Sequence, residues 1–93
     1  MRDALRAAAH DWLDDDPVRA IVRDFALSIQ AVRLIECGFE DHLNAYRPAE
    51  LLILATMLPD HQFRVIVADA LARADNRLLW LMEQRGCLPV EAV

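Results

Sequence analysis

Large apolar residues recur along almost the whole chain three or four positions apart, and nowhere in the alternating rhythm of a half-buried strand. Over Arg2 to Leu13, the residues Leu5, Ala8, Ala9 and Trp12 share one face with Leu13 beside them, which predicts a short amphipathic helix. Asp14, Asp15 and Asp16 then precede Pro17. An aspartate there caps a new helix, proline occupies its first turn, and the carboxylates sit against its positive end. That second helix is expected to run to about Cys37 and to stop at Gly38, where a left-handed cap needs no side chain. Val18, Ile21, Val22, Phe25, Ile29 and Val32 are expected to form its core face. Arg19, Arg23, Ala26, Gln30 and Arg33 fall along the opposite side as a narrow cationic stripe.

Phe39 to Tyr46 reads as a turn or short helix. Pro48 opens a further helix through Leu58 in which Leu51, Leu52, Ile53, Leu54, Met57 and Leu58 leave almost no polar face, so it should be buried nearly all round. After Pro59 and Asp60 a helical pattern continues to Arg85 and is closed by Gly86 and Pro89, with Phe63, Ile66, Val67, Ala70, Ala74, Leu78 and Leu81 along one seam. One long helix is expected here, kinked at Ala74-Asp75-Asn76, with a separate last helix capped by Asp75 as the alternative. Pro17, Pro48 and Pro59 should each lie in the first turn of a helix. The fold class that follows is all-α, a compact bundle of four or five helices forming a single domain over residues 1–93.

Composition sharpens this picture. The chain is 56% hydrophobic with only two glycines, and 93 residues enclose little interior, so some of that apolar surface is expected to meet another protein. The longest apolar run, Leu51 to Leu58, is far short of the roughly 20 residues that span a bilayer. The stretch from Met1 to Asp16 carries charges and lacks the core of a secretory signal, so a cytoplasmic location is expected. A net charge of −5 argues against nonspecific binding to nucleic acid or membranes. All ten basic residues are arginine, which favours bidentate pairing with carboxylates.

No residue cluster carries a catalytic signature. Cys37 and Cys87 read as free thiols beside helix ends. Ser28, the one serine, sits in the apolar middle of a helix without a neighbouring base and should bond back to the preceding turn. Glu36, Cys37, Glu40, Asp41 and His42 are the densest set of potential metal ligands but match no ligand spacing. His10 and His61 lack an i+4 partner, and the aspartate run lacks the alternating ligands of a calcium loop. No cofactor, metal or enzymatic activity is therefore expected.

The expected function is a small helical protein–protein interaction module, an adaptor, chaperone-like partner or regulatory subunit, working as a homodimer. Its partner interface is expected at Trp80 and Leu79, which lie off the seam of the last helix, with Trp12 and Leu13 next. Arg19, Arg23 and Arg33 are candidates for contact with an acidic partner. The alternative is a DNA-binding regulator. Leu51 to Leu58, Val65 to Ala74 and Arg77 to Gly86 follow the order of a helix-turn-helix core, and the ending Leu81-Met82-Glu83-Gln84-Arg85-Gly86-Cys87-Leu88 resembles that of winged-helix regulators. Against it, the middle of the supposed recognition helix is Leu-Leu-Trp-Leu-Met, with few side chains to read base edges.

Overall fold

A computed structural model describes residues 2–13, 16–38 and 43–87, and the backbone alone at residues 40–42. Among them it is all-helical. The order is α1 (Arg2–Leu13), α2 (Pro17–Cys37), a 3-10 turn (Glu40–Ala45), α3 (Pro48–Ala55), α4 (Asp60–Arg73) and α5 (Asn76–Gln84). None of these helices is long and apolar enough to cross a membrane. Asp14, Asp15, Phe39, Leu88 and Pro89, which carry capping, turn, closing or motif roles in the sequence reading, lie outside the described residues.

Local chemistry sets the helix ends. Asp16 accepts the Val18 N–H at 3.0 Å and Pro17 opens α2. At the other end Gly38 takes φ +66° and donates its N–H to the Leu34 carbonyl. Pro48 begins α3, and the Glu50 carboxylate accepts the Arg47 N–H at 2.9 Å. Pro59 stands one residue ahead of α4, where its carbonyl accepts the Phe63 N–H at 2.8 Å. The expected first-turn position of the prolines thus holds for Pro17 and Pro48 and shifts by one residue at Pro59.

The hydrophobic centre is α3, which ends at Ala55, short of the expected Leu58, because the chain turns through Thr56–Leu58 to reach Pro59. Ala49 and Leu51 through Ala55 are all fully buried, covered by α1, α2 and α4. From α1, Leu5, Ala8 and Ala9 pack inward, and the two alanines let the helices approach closely. From α4 come Ile66, Val67 and Ala70 and from α5 Leu78, as the seam predicts; Met82, outside that seam, is fully buried as well, whereas Phe63, Ala74 and Leu81 of the seam are half-buried.

Two expectations are corrected. The last segment is two helices, not one. Ala74 is extended at ψ 145°, and Asp75 caps α5 by accepting the Leu78 N–H at 2.9 Å. The break re-aims α5 toward α1, to which it is tied by the Arg85–Asp11 ion pair and by the Arg77 guanidinium 5.2 Å from the Trp12 ring. Asp75→Ala is expected to lower stability in denaturant unfolding by about 1 kcal/mol, with Asp75→Asn retaining most of it. Equal stability of Asp75→Ala and wild type would show that the cap does not hold the break.

The second correction concerns α2. Its buried face is Leu27, Ala31 and Leu34. The residues expected in the core point the other way: Val18 is 68% exposed, Ile21 70%, Val22 63%, Phe25 69%, Ile29 45% and Val32 53%. Polar anchors fix this rotation. Asp24 pairs with Arg6 of α1 at 3.0 Å and with His10 at 3.4 Å, Arg23 approaches Glu50 of α3 at 3.8 Å, and Gln62 of α4 donates to the Leu34 carbonyl at 2.9 Å. Turning Phe25 inward would break all four.

Candidate functional site

The outer face of α2 is the most unusual surface of the molecule. Val18, Ile21, Val22, Phe25, Ile29, Val32 and Ile35 lie exposed along one helix; elsewhere among the described residues only Val65 and Trp80 are large, apolar and exposed. Leu27 stands nine residues, about two and a half turns, beyond Val18, so the inner and outer apolar faces are diametrically opposed. Val18, Ile21, Phe25, Ser28, Val32 and Ile35 follow one another at alternating steps of three and four, the spacing of a left-handed helix–helix seam, with Val22 and Ile29 along one flank. The seam rises about 26 Å, at 1.5 Å per residue.

Its polar interruption is Ser28. The hydroxyl donates to the Asp24 carbonyl at 2.8 Å, the back-bonding the sequence suggested, and lies 3.6 Å from the Met57 sulfur. Its hydrogen-bonding capacity is met within its own helix, so the seam carries no unsatisfied donor there.

Beside the N-terminal half of this face lies an open recess of about 350 Å³, lined by Val18, Arg19, Val22, Arg23, Ala26, Leu27, Tyr46 and Glu50. Arg23 is largely buried in it, and its Nη1 has no hydrogen-bond partner. Of the three arginines of the expected cationic stripe, Arg19 and Arg23 therefore converge on one recess, whereas Arg33 is exposed and stands apart from it.

The interface residues expected from sequence fall at the junction of α1 and α5. Trp80 is 56% exposed, whereas Leu79, Trp12 and Leu13 are half-buried, with Trp12 and Leu13 packed against the core. Sequence reasoning took the α2 face for core because the bulkier apolar residues of the helix lie on it, whereas the stripe that turns inward is the narrower Leu27, Ala31 and Leu34. The signal that could have found it is Asp24 and Arg23 flanking Leu27, since charges beside a buried stripe need partners, and Arg6, His10 and Glu50 supply them.

Other chemical groups are accounted for locally. Cys37 is exposed at the end of α2. Cys87 is buried, its Sγ donates to the Met82 carbonyl at 3.2 Å, and burial raises its thiol pKa above the ordinary value. His61 is exposed. Among the described residues no group of three His, Cys, Asp or Glu converges as a metal site, and the side chains of Glu40, Asp41 and His42 lie outside the described set. On α5, the helix-turn-helix candidate, Arg77, Trp80, Glu83 and Gln84 are exposed. Compared with protein-family models, characterised proteins and solved structures, the chain matches none.

Proposed function

We propose that this chain is a small helical protein–protein interaction module that works as a homodimer, with the outer face of α2 as its contact surface. The observation that carries the reading is the row of seven large apolar side chains, 45–70% exposed, on a helix anchored by its other side. Exposed apolar area on this scale is unfavourable in water, and burying it yields roughly 25 cal/mol per Å² before ordering costs are subtracted. The α1–α5 junction offers less, because Trp80 alone there is largely exposed. The nucleic-acid reading has weaker support, since the exposed residues of α5 include Glu83 as well as Arg77 and the whole chain carries −5.

Sedimentation or light scattering from submicromolar to tens of micromolar tests this. The wild type is expected to dimerise over that range, and Phe25→Asp to weaken association at least about thirtyfold, as loss of a central aromatic anchor does. Phe25→Asp should still fold, because the substituted position is exposed. Trp80→Ala is expected to change the dissociation constant no more than about threefold, as residues outside an interface core do. A wild type monomeric throughout overturns the reading, and dependence on Trp80 with indifference to Phe25 relocates the interface to α5.

A further inference from the structure

We infer that the outer face of α2 takes a second copy of this chain in antiparallel orientation, α2 across α2, with Phe25 of each copy set against Ser28 of the other. This rests on the reading of that face as the contact surface and adds the occupant's direction and register. Its area suits a second copy. Seven large apolar residues, 45–70% exposed along one helix face, make a contiguous patch beyond the roughly 300–600 Å² of the largest patch on ordinary monomers and on the scale of one partner's share of a standard interface.

Four features of the stripe select the antiparallel arrangement. The first is size. Phe25 is the largest member of the seam, Ser28 the smallest, and they sit one turn apart at its middle. An antiparallel pair centred between them puts large on small in both central layers and matches Val18 with Ile35 and Ile21 with Val32 in the outer ones. Parallel, in-register pairing puts Phe25 on Phe25 and leaves Ser28 facing Ser28 across a gap. The second is polar satisfaction: the Ser28 hydroxyl is already bonded to the Asp24 carbonyl, so covering it with a phenyl ring strands no donor.

The third feature is the flank. Antiparallel helices face each flank with its own kind, so Val22 of one copy meets Ile29 of the other. Parallel helices would set that apolar flank against the side that carries Asp24, where Arg6 and His10 are bound. The fourth is charge. Glu36 ends the stripe, and antiparallel pairing brings it within a turn of Arg19 at the opposite copy's α2 N-terminus, whereas parallel pairing leaves the two charges about 26 Å apart along the helix axis.

Cross-linking tests the register. In a Cys37→Ser background, which leaves only the buried Cys87, chains carrying Val18→Cys are mixed with chains carrying Ile35→Cys and gently oxidised. Antiparallel pairing brings these two positions within disulfide reach across the dimer, so intact-mass analysis should show the mixed covalent dimer in several-fold excess over either homodimer, abolished when Phe25→Asp is added. Covalent dimers of like with like would overturn the orientation while leaving α2 as the interface. Absence of all three from a protein whose association depends on Phe25 would overturn the register. A wild type that does not self-associate removes both this inference and the reading beneath it.

Discussion

Leu27→Ala is expected to lower the unfolding free energy by about 2–5 kcal/mol, whereas Phe25→Ala, two residues away on the same helix, should change it by no more than about 0.5 kcal/mol in the monomer. Leu27 is 2% exposed against α3, so truncation removes buried methyl groups and leaves a cavity that the surrounding helices cannot close. Phe25 is 69% exposed, and its ring has little to lose in an isolated chain. The comparison must be made below the concentration at which the protein associates, because binding to a partner adds apparent stability to every residue of the interface. Urea unfolding at submicromolar protein, followed by circular dichroism, provides it. A larger loss for Phe25→Ala than for Leu27→Ala would mean that α2 is rotated by half a turn, and the proposed contact surface would disappear with that rotation.

The two ends of α2 and the start of α3 were legible in the sequence, because the signals are local. Asp16-Pro17, Gly38 and Pro48 act through their own backbone, and each needs only its immediate neighbours to be read. The central place of α3 was legible for a similar reason: Leu51-Leu52-Ile53-Leu54 has no polar side to give to water, so every packing solution must surround it. The rotation of α2 is a different kind of fact. Val18, Phe25 and Val32 are bulkier than Ala31 and look more like a core, but which face turns inward depends on Asp24 meeting Arg6 and His10, and Leu34 meeting Gln62, across gaps in sequence of up to 28 residues. The break at Ala74 was obscured because alanine is the best helix former and gives no warning of an extended conformation. There the Asp75 cap, together with the pairing of α5 to α1, outweighs local propensity. The expectation that Trp80 would stand exposed was readable from the wheel, since the residue leaves a seam the sequence defines clearly.

The last link between the N-terminus and the centre of the bundle is a single arginine, and Arg2→Ala is expected to cost about 1–3 kcal/mol of stability, the range for partly buried acceptors left without their donor. A helix that ends leaves its final carbonyls without intrahelical donors, and after α3 the N–H groups of Thr56, Met57 and Leu58 in the following turn reach back to those of Leu52, Leu54 and Ala55. Arg2 Nη1 donates toward three carbonyls from the end of α3 onward, of Ala55 at 3.3 Å, Thr56 at 3.2 Å and Leu58 at 2.6 Å. Its Nη2 pairs with Asp60 in the first turn of α4, and the guanidinium stands 4.2 Å from the centre of the Phe63 ring. One planar cation thus closes the α3–α4 turn and pins α1 across it, with its charge on the favourable side of the α3 dipole. Arg2→Lys keeps the charge but has no second nitrogen with which to reach Asp60 while holding the carbonyls, so it should recover no more than about half of the loss. Hydrogen exchange gives the sharper readout, since Arg2→Ala should expose the amides of α1 well before those of α3. Unchanged protection in α1, or a stability within about 0.5 kcal/mol of wild type, would show that Leu5, Ala8 and Ala9 hold that helix in place by packing alone.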